Sequence, residues 1–273
     1  MVLEQIAFAA NIIAAAVAAY TDWKTGYIFD WITYPLIAIG VVLSVLQQQW
    51  LGLVLGVGIY AIGYVAYKQG KLGGGDIKLL AGMALVQPVY HGMIFVVSVL
   101  LVASVLACAG LCVYYVGGYL LSRPKVNWNS MRKKLSAFML IFLFAFFAYF
   151  INLGIFSFLV GTALLIALGL GIIFYALEDE LKAHAFLKRI PLEQLEDDEL
   201  LAVEHLSAEE KAKLGKNIPQ LIDRTDILRF RHAGLHTIPV YRNLPKFAPF
   251  LLLGVLVVYV FPEILRPFIP MIA

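Results

Sequence analysis

Two stretches of this chain each run for more than forty residues without a formal charge. Residues 79–122 make one, with 44 residues, and residues 135–177 the other, with 43. A helix needs about 20 apolar residues to cross the hydrocarbon core at about 1.5 Å per residue, so each run is long enough for two passes. Composition agrees: of 273 residues, 62% are hydrophobic and 14% charged, against roughly 45–50% and 25% in soluble domains. The pattern excludes a soluble enzyme, a disordered regulator and a disulfide-stapled secreted module. A net charge of +3 implies no nucleic-acid partner. The partner that composition does imply is the lipid bilayer.

The expected fold is an all-α polytopic bundle of about eight apolar helices. Residues 2–20 form the first, 31–46 the second and 50–67 the third. The Ala16-Val17-Ala18 stretch resembles a signal-peptidase site, but the segment before it carries Glu4 and no base, so it reads as a retained span. Gln87-Pro88 divides the first uncharged run, because proline interrupts the helical ladder and disfavours helix just before it. That leaves a short fourth helix at 76–86 and a long fifth at 89–121. The second run breaks at Asn152-Leu153-Gly154 into spans six and seven, and 247–269 is the eighth. Four segments follow: a membrane core at 1–121, a loop and additional hairpin at 122–177, a small cytoplasmic helical domain at 178–246, and a last helix at 247–273.

Charge placement gives the orientation. With the loop after the first span in the cytoplasm, 20 of the 21 Lys and Arg fall on that side and only Arg266 opposite, as the positive-inside rule requires. Both ends of the sequence then lie outside. Residues 178–246 contain 13 acids and 11 bases. Helical spacing in LEQLEDDELLAVEHL and a capping box from Ser207 to Glu210 predict helices there.

Before that segment the chain has only four acids: Glu4, Asp22, Asp30 and Asp76. An Asp at a helix centre costs about 2.5–3.5 kcal/mol on insertion scales, so each calls for a reason. Glu4 lies near the outer end of its helix, where water solvates it. The other three lie at the cytoplasmic boundary, where neighbouring helices of equal depth would bring Asp22 and Asp76 together. Asp76 follows Gly73-Gly74-Gly75, a sequence that suits both a glycine turn with an Asp cap and a close approach of backbone to a functional carboxylate. Asp22 reads as a helix-end polar residue or as its partner, and Asp30 as the cap of the second helix. Two carboxylates a few Å apart share one proton. The ionised one takes a proton from water while the protonated one polarises a peptide carbonyl. Such chemistry needs no metal or cofactor.

The Gly73-Gly74-Gly75-Asp76 sequence fills a GxGD pattern and is followed by Ile77-Lys78 and a short apolar helix. Together with Asp22 and the stretch Ile28-Phe29-Asp30, it resembles the type IV prepilin peptidases, including the archaeal preflagellin peptidases. Phe29 departs from the proline often found in that family. The last span, LPKFAPFLLLGVLVVYVFPEILRPFIP, resembles the helix that follows the soluble domain in preflagellin peptidases, whereas spans six and seven are extra. The resemblance implies a membrane aspartic endopeptidase acting at the cytoplasmic face on pilin-like or archaellin-like precursors. Carried over residue by residue, it makes Asp22 and Asp76 the catalytic pair. Gly73, Gly74, Gly75, Lys78 and Asp30 form the supporting loop. Nothing matches the Cys-x-x-Cys insert of bacterial members, so proteolysis without methyl transfer is expected.

Other features have plainer readings. Cys108 and Cys112, at i and i+4, read as membrane packing. His232 and His236 share that spacing but lack the acid of a zinc-peptidase motif. Gly52-x-x-x-Gly56 reads as a helix-packing notch, and Tyr60, Tyr64 and Tyr67 as an interfacial stripe. Lys78 either bears on a nearby carboxylate or snorkels to the interface, and the acidic run 193–199 reads as a solvated face. Competing functions are an ion-coupled transporter or channel, for which no internal repeat is visible, and a presenilin-like protease, whose Pro-Ala-Leu tripeptide is absent. A structural scaffold is the third.

Overall fold

The computed structural model describes residues 2–70, 72–122, 130–156, 158–195, 197, 199–215, 218–242 and 244–265. Lys71, Arg266, the end of the last expected span, positions 196 and 198 of the acidic run, and 123–129 of the basic loop lie outside the described residues. The chain divides into two compact units, one formed by residues 1–104 and 188–273 and the other by 105–187.

The first unit begins with α1 (Val2–Thr25), α2 (Asp30–Leu46), α3 (Trp50–Lys68) and α4 (Gly74–Val86). Helix α1 is rich in alanine, the best helix former, and it buries Ala7, Ala14, Ala15, Ala18 and Ala19 on one face. Those small side chains let neighbouring backbones approach closely. Helix α4 is buried almost throughout, from Ile77 to Val86, and packs between α2 and α3. Its neighbours meet it with glycine. A Cβ at Gly56 would fall 2.5 Å from Leu85 Cγ, and one at Gly63 the same distance from Ile77 Cγ2. The Gly52–Gly56 notch therefore receives a named knob, Leu85. The Ser44 hydroxyl of α2 donates to the Leu85 carbonyl at 2.9 Å, filling one of the acceptors that a helix end leaves open.

Helix α4 stops at Gln87-Pro88, as the sequence predicts. The following residues are not yet helix: β1 (Val89–Tyr90) and β2 (Met93–Ile94) form a hairpin whose turn residues His91 and Gly92 have φ of 48° and 77°. Two consecutive positive φ values are what a two-residue hairpin turn demands. This hairpin replaces the first turns of the expected fifth span, and α5 starts at Phe95 (Phe95–Leu111).

In the second unit the helix continues through a π-type segment, Cys112–Val116, into α6 (Gly117–Leu121). The hairpin α7 (Met131–Asn152) and α8 (Phe158–Ala176) breaks where the sequence places it, with Gly154 at φ 73°. The two thiols pack as expected: Cys108 and Cys112 donate to the Ala167 and Leu170 carbonyls of α8 at 3.4 and 3.6 Å. Short helix α9 (Glu178–Leu181) presents acids to the basic start of α7, with Arg132 2.8 Å from Asp179 and Lys133 paired to Glu180.

The soluble segment corrects the helical expectation. It holds a four-stranded sheet in the order β3-β6-β4-β5, made by β3 (Leu187–Pro191), β4 (Glu199–Leu201), β5 (Leu221–Ile222) and β6 (Thr237–Tyr241). The run read as one helix is instead a 3-10 turn at Leu192–Gln194, strand β4 and a second 3-10 turn at Val203–His205. Glu199 and Leu201 face inward on β4 while Leu200 is only half-buried, a period-2 pattern hidden among leucines at helical spacing. Helices α10 (Ala208–Leu214) and α11 (Arg224–His232) cover a core that includes Leu201, Ile222, Phe230, Ile238 and Val240. The capping box at Ser207 and Glu210 is present, and a second one joins Asp223 to Asp226.

Helix α12 (Ala248–Val260) closes the first unit against α1. Among the described residues four helices are long and apolar enough to cross a membrane: α1, α3, the continuous α5–α6 helix Phe95–Leu121, and α7. Helices α2 and α12 are apolar but shorter, at 17 and 13 residues. The apolar part of the chain is therefore helical apart from the β1–β2 hairpin, while residues 178–246 mix strands and helices.

Candidate active site

Asp22 lies in the last turn of α1 and is 7% exposed. The chain leaves this helix at Gly26, whose φ of 78° suits glycine and whose N–H donates to the Asp22 carbonyl at 2.8 Å. The Asp22 side chain has a partner far away in sequence: the backbone N–H of Ala248, at the start of α12, donates to Oδ2 at 3.0 Å. Positive partial charge at a helix N-terminus favours an anion there. Next to it, the Lys246 ammonium donates to the Trp23 carbonyl and lies 5.8 Å from the Trp23 ring centroid. Sequence reading missed Ala248 and Lys246. The local signal was the LPKFAP stretch, a lysine between prolines ahead of an apolar helix.

Asp76 is the third residue of α4, whose N-cap is Gly73, with no side-chain cap hydrogen bond. The capping alternative for Asp76 is thus not realised. Its carboxylate folds back over the glycine turn, so that a Cβ at Gly73 would lie 2.7 Å from Oδ2. Oδ1 is buried and has no hydrogen-bond partner among the described residues. Burying a carboxylate oxygen without a partner is costly unless something else meets it. The charge that bears on Asp76 is Asp22. Helices α1 and α4 also pack against each other, so the two acids share one neighbourhood.

The three glycines before Asp76 have different neighbours. A side chain at Gly75 would run into Ile28, 2.7 Å from its Cβ and 2.9 Å from its carbonyl oxygen. That close approach joins the α1–α2 loop to the start of α4. A Cβ at Gly74 would only reach ordinary contact with the Tyr67 ring. At Gly70, φ 64°, a Cβ would come within 2.6 Å of Leu200 on β4, so the soluble sheet touches the loop that leads to Asp76.

Lys78 and Asp30 form a separate pair. The Lys78 ammonium is bonded to Asp30 Oδ1 and lies 5.0 Å from the Tyr34 ring centroid. Helix α2 begins at Asp30, and Phe29 occupies the cap position without a side-chain bond. Asp30 therefore ties α2 to α4 through Lys78 instead of capping its own helix. The structure folds Asp76 over the glycine turn, puts Asp22 on the helix that packs against α4, and assigns Lys78 to Asp30. His232 ends α11 and His236 precedes β6, both in the soluble segment. Among the described residues no group of three His, Cys, Asp or Glu is arranged to hold a metal ion.

Comparison with known proteins falls on this same region. Residues 9–113, which include both aspartates and the glycine turn, match the type IV leader peptidase family. The chain is also 28% identical over 96 residues to the prepilin peptidase EppA of Methanothermobacter thermautotrophicus, covering 32% of this chain and 25% of that protein. The chain thus spans about a quarter of the length of the curated relative it matches. No solved structure matches it. The resemblance read from the GGGD motif is borne out over these residues.

Proposed function

We propose that this chain is a membrane aspartic endopeptidase that removes the short basic leader of prepilin-like or archaellin-like precursors at the cytoplasmic face, with Asp22 and Asp76 as the catalytic pair. The observation that carries the reading is the buried, unbonded Oδ1 of Asp76 in the neighbourhood of Asp22. Two acids in one low-dielectric site titrate as a unit and hold one proton between them. The ionised carboxylate accepts a proton from water as the water oxygen bonds to the scissile carbonyl carbon. The protonated partner gives its proton to the carbonyl oxygen, forming a gem-diol. Collapse breaks the C–N bond, and a proton passes to the leaving amine.

The surrounding residues have roles in this scheme. The Ala248 N–H supports negative charge on Asp22, and Gly73 leaves room for the Asp76 carboxylate to fold back. Gly75 lets the turn rest on Ile28, which fixes its depth. Asp30 and Lys78 hold α2 to α4 at the same level. The concentration of Lys and Arg on one side of the spans supports a cytoplasmic location for the aspartates. The likeness to a prepilin peptidase supports a prepilin-type precursor as substrate.

The test is leader removal from a co-expressed prepilin-like precursor, read by mobility on a gel. Asp22→Asn and Asp76→Asn proteins are expected to insert in normal amounts and to lose roughly 10²–10⁴-fold in cleavage rate. Asp→Glu at either position is expected to fail largely as well, since an added methylene displaces the carboxylate beyond what the geometry tolerates. Normal processing by either Asn variant would reject the pair.

A further inference from the structure

One hydroxyl far from the aspartates bonds to both of the segments that carry them. Tyr259 on α12 is 8% exposed, and its OH receives a hydrogen bond from Asn11 Nδ2 of α1 at 3.2 Å. The same hydroxyl donates to Oε1 of Gln87, the C-cap of α4, at 2.6 Å. Asn11 is wholly buried. Rings of Phe8, Tyr90 and Phe95 surround the phenol, with centroids 4.4, 5.1 and 5.0 Å from it. Asn11 and the phenol are buried while Gln87 is half-buried, so the Asn11–Tyr259 bond has little water to fall back on.

The spacing gives this junction its meaning. Asn11 and Asp22 are eleven positions apart on α1, Asp76 and Gln87 are eleven apart across α4, and Ala248 and Tyr259 are eleven apart on α12. Eleven residues make about three turns, or about 16.5 Å, and return to almost the same helix face. At one level Asp22 meets the Ala248 N–H, with Asp76 in its electrostatic neighbourhood; three turns away Asn11 and Gln87 meet the Tyr259 hydroxyl. Helix α1 therefore runs antiparallel to α4 and α12, and the three segments are fastened at matched heights.

We propose that Tyr259 is a positioning residue: by joining Asn11 to Gln87 it fixes the axial register of α1, α4 and α12, and so sets the separation of Asp22 and Asp76. The proposal rests on the reading of those aspartates as the catalytic pair. A helix that slips by one residue moves about 1.5 Å along its axis, enough to spoil a shared proton. Nothing within residues 9–113, the region that matches the family, supplies this hydroxyl.

Tyr259→Phe deletes the hydroxyl and keeps the ring, so the aromatic packing stays. Its kcat for precursor cleavage is expected to fall roughly tenfold to a hundredfold, as displaced reacting groups do, with KM within about twofold because no substrate contact is lost. Gln87→Leu is expected to behave like Tyr259→Phe, whereas Gln87→Glu keeps an acceptor and restores most of the rate. A second readout needs no catalysis. Spin labels at Tyr20→Cys and Leu72→Cys, on a Cys108→Ala/Cys112→Ala background, report the distance between the ends of α1 and α4. Tyr259→Phe is expected to shift or broaden that distribution by about 1.5 Å or more, one residue's rise. An unchanged distribution would overturn the proposal, as would a loss confined to the amount of folded protein with kcat intact. Should either Asp22→Asn or Asp76→Asn still cleave normally, the reading of those aspartates as the catalytic pair fails, and the spin-label distances still decide whether Tyr259 sets the register.

Discussion

Helices α4 and α12 are both packed deep in the first unit, yet they are fastened by different means. Helix α4 meets α2 and α3 chiefly by shape, since glycines of α2 and α3 leave hollows that Leu85 and Ile77 fill, with the Ser44–Leu85 and Lys78–Asp30 bonds beside them. Helix α12 is held to α1 by hydrogen bonds at two levels, Ala248 to Asp22 and Tyr259 to Asn11. Inside a bilayer, lipid is as apolar as leucine, so helices associate through close packing and interhelical hydrogen bonds. A hollow tolerates small rotations and slides of its knob. A hydrogen bond three turns from another fixes height. The glycine side thus confers compactness, and the polar side confers register.

Substitutions that fill a hollow test the first half of this contrast and have the largest expected effects on stability. At Gly40 of α2 a Cβ would fall 2.5 Å from Leu85 Cβ and 2.9 Å from the Val86 backbone nitrogen. Neither atom is the far end of a flexible chain, so Gly40→Ala is expected to cost about 3 kcal/mol through overpacking, read as a lower unfolding midpoint in detergent. Next in size is Asn11→Leu, which leaves the Tyr259 hydroxyl with one partner; interhelical hydrogen bonds in membranes are worth about 0.6 kcal/mol on average and about 1.7 at most. Gly56→Ala sharpens the comparison, because there the new methyl meets Cγ and both Cδ carbons of Leu85, with no backbone atom among its nearest neighbours. A rotamer change relieves it, and a cost under about 1 kcal/mol is expected. If Gly40→Ala and Gly56→Ala cost the same, backbone proximity is not what limits the hollow.

The soluble segment offers the smallest effect and a pH dependence. Arg189 makes two hydrogen bonds to Glu210, at 2.9 and 3.1 Å, and holds its carboxyl below the usual carboxylate range. A folded-state value below the unfolded one adds stability at neutral pH, and this is lost as pH falls from the ordinary glutamate value of about 4.3 down through the folded value. Glu210→Gln keeps the capping-box pattern but not the charge. Its melting temperature is expected to lie slightly below that of the parent at pH 7 and to converge with it in acid. A constant difference across that range would assign the effect to the cap alone.

The parts of the site that could be read in the sequence are those whose signal is local. Gly73-Gly74-Gly75-Asp76 puts small residues and a carboxylate side by side, and Gln87-Pro88 ends a helix by backbone chemistry alone. Gly52-x-x-x-Gly56 announces a notch, although not that Leu85 fills it. What escaped depends on partners distant in the chain. Asp22 and Ala248 are 226 positions apart, Asn11 and Tyr259 are 248 apart, and Lys78 and Asp30 are 48 apart. No periodicity encodes such pairs. The hairpin at Tyr90-His91-Gly92-Met93 escaped because apolar residues on both sides disguise two strands as helix. In the soluble segment, leucines at helical spacing around Glu199–Leu201 masked a strand whose pairing with β6 decides its conformation.

The bond from Ala248 to Asp22 also has a consequence for the order of synthesis. A ribosome releases Asp22 early and Ala248 only after 226 further residues. Until then this carboxyl group lacks its amide donor. The direction of translation thus separates the two halves of this contact, and the α1–α12 seam is completed only once the α12 segment has been made.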